Sequence, residues 1–158
     1  MHQRLLAAIV FLSLVVGACS AETRPPTETK APAAPAATST TDMEAAIARH
    51  VKTVKAADVD GVMADYAADA ILVSPPGLVT PIGTFVGKDK VREFFVWLAT
   101  PAVLPAAQSM VTTNEVVGPN TMLFRWTQFP GTPKEVKGYD IFVFRDGKII
   151  FQTTAANP

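Results

Sequence analysis

The stretch TMLFRWTQFPGTPKEVKGYDIFVFRDGKIIFQTT, residues 121–154, decides the fold. Thr121 to Phe129 is dense in aromatic and β-branched residues and reads as a strand. Pro130-Gly131-Thr132-Pro133 is turn chemistry. Glu135 to Arg145 is a long strand, and Asp146-Gly147 is a two-residue hairpin signal. Lys148 to Thr154 is the last strand. Just upstream, Met110 to Val117 is another, closed by the turn Gly118-Pro119-Asn120. Strands joined by short turns predict an antiparallel meander.

Upstream of the meander the period changes. Met43, Ile47, Val51 and Val54 recur at helical spacing, with His50 on the edge of the stripe. Thr41 with Glu44 fits a capping box, so a first helix is expected from Thr41 or Asp42 to near Ala57. Asp58 caps a short second helix whose face is Val59, Val62, Met63 and Tyr66. Tyr66 is expected to be structural there. Ala70 to Ser74 is a short strand stopped by Pro75-Pro76-Gly77, and another short strand lies near Thr84. A third helix carries Val91, Phe94, Phe95 and Leu98. Pro101 lies beyond its end, and Pro105 falls in an Ala-rich loop. Three N-terminal helices followed by a run of strands predict an α+β fold, not an alternating α/β one.

The N-terminus has a different character. Met1 to Arg4 is short and basic, Leu5 to Val16 is apolar apart from Ser13, and Gly17-Ala18 precedes Cys19. That is the order of a secretory signal peptide, and its apolar run falls short of the roughly 20 residues of a spanning helix. Val16-Gly17-Ala18-Cys19 resembles the bacterial lipobox. The resemblance implies cleavage after residue 18 and lipidation of Cys19, hence a membrane partner through acyl chains. With Ser20, not aspartate, after the cysteine, it also implies the outer membrane, facing the periplasm, in a Gram-negative host. Residues 19–41 are rich in Ala, Pro and Thr and read as a disordered tether. The folded domain is expected over 42–158.

Several function classes drop out. The chain has 14 Lys+Arg against 14 Asp+Glu, so it lacks the basic footprint of a nucleic-acid binder. Beyond the leader, His50 is the one histidine, and Cys19 is the one cysteine of the whole chain. A zinc site needs three or four protein ligands, so no metal is expected. No glycine-rich phosphate loop, nucleophile elbow or dinucleotide fingerprint occurs, so no cofactor is expected. A triad of Ser74, His50 and Asp140 carries no spacing signature.

From Glu44 onward the chain resembles the nuclear transport factor 2-like superfamily, in particular its SnoaL-like and ketosteroid-isomerase-like members. The matching pieces are Ala56-Ala57-Asp58-Val59-Asp60, Asp65-Tyr66-Ala67-Ala68-Asp69-Ala70, Pro76-Gly77, Gly87-Lys88-Asp89-Lys90-Val91-Arg92-Glu93-Phe94-Phe95 and Phe142-Val143-Phe144-Arg145-Asp146-Gly147-Lys148-Ile149. The resemblance implies a curved sheet wrapped around helices, a cone with an apolar pocket, and pairing through the outer sheet face. On this chain that outer face would carry Leu123, Arg125, Thr127, Tyr139, Ile141 and Val143.

Strand period puts Met122, Phe124, Trp126 and Gln128 on one face, and Gly138, Asp140, Phe142 and Phe144 on one face of the next strand. Matching the family's strands implies that Phe124, Trp126, Gln128, Asp140, Gln152 and Thr154 face the pocket. Asp140 matches an aspartate that isomerases keep protonated as an oxyanion donor, and His50 matches their oxyanion-hole tyrosine. Ser74 stands where the isomerase base is an aspartate, and the resemblance implies that it too lines the pocket. A serine without its own base cannot take a carbon-bound proton. The expected function is therefore a pocket for a small apolar molecule without catalysis. One alternative is an isomerase, cyclase or dehydratase using Asp140 and His50. The other is a dimeric interaction module. Asp140 itself is expected to be either such a donor or a structural group satisfied by backbone amides or His50. Trp97 and Trp126 are read as core aromatics or as platforms for a ring.

Overall fold

The computed structural model describes residues 37–157. The expected signal peptide, Cys19 and most of the expected tether lie outside them. Ala34–Pro158 form one compact unit, and every buried core residue from Met43 to Ile149 belongs to it, so this unit carries a complete core and can fold by itself.

Helix α1 spans Thr40–Lys55 and starts earlier than the Thr41 box predicts. Ser39 is the cap. Its hydroxyl accepts from the Asp42 amide at 3.1 Å and donates to the Asp42 carboxylate at 2.6 Å. The residue before it, Thr38, is buried, and its amide donates to Asn120 Oδ1 at 2.7 Å. The fold thus reclaims the last residues assigned to the tether. Helix α2 spans Val59–Ala64, and the Asp58 carboxylate accepts from the Gly61 amide.

Tyr66 does not extend α2. It opens strand β1, Tyr66–Val73, because the sheet captures the backbone there: the Ile149 amide donates to the Asp65 carbonyl at 2.9 Å. Strand β2 is Thr84–Val86 and helix α3 is Lys88–Leu98. The expected Ala-rich loop is a fourth helix, α4, Leu104–Ser109. Pro105 sits in its first turn, where a missing N–H costs nothing.

The meander has the predicted order: β3 Val111–Gly118, β4 Thr121–Gln128, β5 Val136–Arg145 and β6 Lys148–Ala156. Asp146 and Gly147 both have positive φ, the geometry that joins β5 to β6 in two residues. The sheet order is β2-β1-β6-β5-β4-β3, antiparallel except for the β1–β6 pair. Register shifts at Tyr66/Ile71, Val116/Gly118 and Val143/Phe144 bend the strands and curve the sheet. Leu72, Met122, Phe142, Phe144 and Ile149 fill its concave face and join the helix residues Met43, Ile47, Val91 and Phe95 in one core.

Candidate ligand-binding site

Toward the Asn120 and Gly147 turns, the concave face is sealed by fully buried apolar side chains. Toward the other end of β4, β5 and β6, helices and sheet diverge around a cavity of about 270 Å³. Strand β4 supplies Phe124, Trp126 and Gln128. Helix α1 supplies His50, Val51 and Val54, and α3 supplies Phe94, Phe95 and Trp97. Ala106 and Ala107 of α4 close one wall. Asp140, Gln152 and Thr154 add the remaining polar groups on the sheet side, while Leu78 and Val136 stand exposed at the rim.

Asp140 is buried and held by donors. Trp126 Nε1 donates to Oδ1 at 2.8 Å, and Gln152 Nε2 donates to Oδ2 at 2.7 Å. Thr154 is its cross-strand partner, and its hydroxyl also favours the anion. The Tyr66 hydroxyl donates to Gln152 Oε1, which fixes the amide with its nitrogen toward the carboxylate. Burial pushes the Asp140 carboxyl up to about 6, against the hydrogen bonds of Thr154, Trp126 and Gln152 that favour the anion. At pH 7 it is mainly a carboxylate. Tyr66 is pushed well above its ordinary value by burial, then by the charges of Asp140 and Asp65.

The Trp126–Asp140 contact depends on a glycine. Gly138 lies directly across from Trp126, and a methyl group there would collide with the indole and with the Ala155 carbonyl. The missing side chain lets the indole lie flat across β5 and reach Asp140.

His50 is caged by the rings of Phe142, Phe95 and Tyr66, at centroid distances of 5.4, 5.5 and 5.9 Å. Burial pulls it down to about 4, so it is neutral at pH 7. Nδ1 is enclosed without a hydrogen-bond partner, which leaves Nε2 as the nitrogen with access to the cavity. An orphaned lone pair costs less than an orphaned N–H, so the proton belongs on Nε2. His50 is not the partner of Asp140, and neither are backbone amides. Side chains satisfy that carboxylate.

The concave-face residues Phe124, Trp126, Gln128, Asp140, Gln152 and Thr154 therefore come together around one space with His50. Ser74 does not join them. It is buried, and its hydroxyl turns to the carbonyls of Pro75 and Gly83 at 3.4 Å, within the loop that follows β1. No triad geometry links it to His50 or Asp140. Three features escaped the sequence reading: the α4 wall, the rim at Leu78, and Tyr66 as the anchor of the polar network. Gly138 was legible, since it shares a face with Asp140 and pairs with a tryptophan.

Chemically, the site can enclose an apolar body, accept hydrogen bonds at Asp140 and donate one from His50.

The fold recurs widely. A nuclear transport factor 2-like protein of unknown function from Burkholderia xenovorans superposes with a TM-score of 0.58 at 19% identity, over 74% of this chain and 84% of that one. A cystatin-like-fold protein of unknown function from Methylobium petroleophilum gives 0.59 at 18%, over 78% and 80%. A ketosteroid isomerase-like protein from Erwinia carotovora atroseptica gives 0.54 at 18%, over 75% and 96%. At such identities the likeness is one of fold. No curated protein sequence matches the chain. The model of the SnoaL-like domain, in contrast, matches residues 47–152, which run from the apolar stripe of α1 to the Gln152 of the polar network. On that match the chain belongs to the SnoaL-like domain family.

Proposed function

We propose that this domain binds a small apolar molecule without transforming it, and that lipid on Cys19 holds it at the bacterial envelope. The observation that carries the binding reading is the cavity itself. About 150 Å³ holds benzene in an apolar protein interior, so about 270 Å³ has room for a two-ring body. Aromatic and aliphatic side chains form the walls, with a few convergent polar groups, which is the usual make-up of a small-molecule site. The non-catalytic part is supported by Ser74, which stands where a base would be needed and is tied to loop carbonyls. Native mass spectrometry of the Ala34–Pro158 unit, purified from its host's envelope extract, tests the reading. A co-purifying small molecule supports it. An apo mass together with no uptake of neutral two-ring compounds overturns it. The anchor rests on the Val16–Cys19 motif, and loss of palmitate labelling in Cys19→Ser checks it.

An enzymatic reading has one observation in its favour. A carboxylate near pKa 6 inside an apolar cavity, with a neutral imidazole on the same cavity, is equipped for proton transfer. An isomerase, cyclase or dehydratase of this kind loses turnover by orders of magnitude in Asp140→Asn with the fold intact. Equal turnover removes the assignment.

An interaction reading draws on the convex face. Ile71, Leu123, Ile141, Val143 and Phe151 are only half-buried there. Sedimentation of the unit at micromolar concentration distinguishes a dimer through this face from a monomer.

A further inference from the structure

The cavity contains an imbalance of charge. Asp140 lies on its sheet side, and among the described residues no ion pair includes it. Among the described residues, no lysine or arginine lines the cavity. Lys55, next in sequence to the lining residue Val54, spends its ammonium on the Met110 carbonyl at 2.7 Å. His50, the other ionisable group on the wall, is caged by aromatic rings and makes no bond to Asp140.

Both N–H donors on Asp140 point at the carboxylate, which fixes it as an acceptor. Those two donors favour the anion over the protonated acid. Buried charges are normally paired, and a carboxylate offers about four acceptor positions. Trp126 and Gln152 occupy two of them. Acceptor capacity remains.

We infer that the cavity takes a hydrophobic amine, its single ammonium paired with Asp140 and its ring system against Trp126, Trp97 and Phe124. The inference rests on the reading of the cavity as a binding site and names the ligand class. The residues fit each part of such a molecule. The ammonium finds a desolvated carboxylate, where a charge-assisted hydrogen bond is strongest. The indole of Trp126, fixed beside that carboxylate, adds attraction for a cation over its face. The carbon skeleton finds apolar walls. An anionic ligand meets a like charge, and a neutral alcohol of the same shape gains only an ordinary hydrogen bond.

Calorimetric titration of the Ala34–Pro158 unit at pH 7.5 with three matched probes tests this. The probes are 2-(1-naphthyl)ethylamine, 2-(1-naphthyl)ethanol and 1-naphthaleneacetate. The expected order is amine over alcohol by about tenfold or more, with the carboxylate weakest. In Asp140→Asn the ratio of amine to alcohol affinity is expected to fall from about tenfold or more to about one. Equal affinity of amine and alcohol for the unaltered protein overturns the amine inference and leaves the pocket reading standing. Absence of binding by all three overturns both. The comparison of probes needs no variant, so it holds even where Asp140→Asn folds poorly.

Discussion

Strands β4, β5 and β6 each cross two different environments on the same concave face. At one end Met122, Phe142, Phe144 and Ile149 are 0–1% exposed and wholly apolar. Toward the other end, Phe124, Trp126, Asp140, Gln152 and Thr154 face a cavity. The backbone is the same, and so is the strand period. What differs is the helical cover. The helix residues Met43 and Ile47 join the first half in one core, whereas α3 and α4 stand off the second. Stability is thus concentrated in one half and recognition in the other. Polar groups at the sealed end would have no partner, while at the open end a ligand can supply one.

The largest effect separates the halves directly. Phe142→Ala removes a fully buried ring from the sealed end and is expected to cost about 3–5 kcal/mol. Trp97→Ala, at the partly exposed cavity wall, is expected to cost about a third of that, because it widens a space that already exists. Urea unfolding of both variants checks the contrast. Similar losses at the two sites would mean that the cavity wall is as structural as the core.

Next in size are two buried titrating groups with opposite signs. Asp140 titrates near 6 in the fold against an ordinary 3.8, so between about pH 4 and 6 the folded state holds a proton that the unfolded chain has released. Its contribution to stability therefore falls as pH rises through that window, by about 3 kcal/mol at 1.36 kcal/mol per unit. His50 titrates near 4 against 6.5, so the unfolded chain takes up its proton first. Its contribution is complete above about 6.5 and is lost as pH falls toward 4, again by about 3 kcal/mol. The two slopes nearly cancel in the shared window. Asp140→Asn should expose the His50 slope, with stability falling in acid. His50→Phe should expose the reverse. Urea midpoints at pH 4.5, 5.5 and 6.5 decide it, and parallel slopes in the two variants would sink the account.

Gly138→Ala is expected to cost about 2 kcal/mol by overpacking. The displaced indole leaves Asp140 with one donor fewer, so Trp126 emission should shift to the red. Unchanged emission would mean that the indole does not depend on the space Gly138 leaves.

The sealed half was the more legible one. Its residues obey simple periods: Met43 and Ile47 on a helix, Met122, Phe142 and Phe144 on strands. The meander and its Asp146-Gly147 turn follow from the same local rules. The face of Asp140 was also legible, because alternation alone puts it beside Phe142. Its partners were harder to read, since Gln152 and Tyr66 come from strands distant in sequence. Tyr66 in particular fits the stripe of α2, and only the tertiary bond from Ile149 to Asp65 moves it into β1. Ser74 fails for a related reason. The resemblance implies a place on the pocket, but the Pro75–Gly83 loop claims its hydroxyl. Helix α4 is short and has no apolar stripe, and its Pro105 suits a loop as well as a first helical turn.

The smallest effect tests how the open half sets its own charge. Tyr66 donates to Gln152 Oε1, and that bond decides which end of the amide meets Asp140. With the hydroxyl gone in Tyr66→Phe, the fold should lose only about 1 kcal/mol, the net worth of one buried hydrogen bond. The change in protonation should be clearer. A freed amide can rotate and offer its oxygen to Asp140, which favours the neutral acid. The Asp140 carboxyl should then titrate above 6, as read from its carbon chemical shift against pH. It should also bind 2-(1-naphthyl)ethylamine less well at pH 7.5, through the added cost of ionising the acid. A titration midpoint that stays put in Tyr66→Phe would show that Trp126 and Thr154 hold the carboxylate without help from the sealed half's nearest polar neighbour.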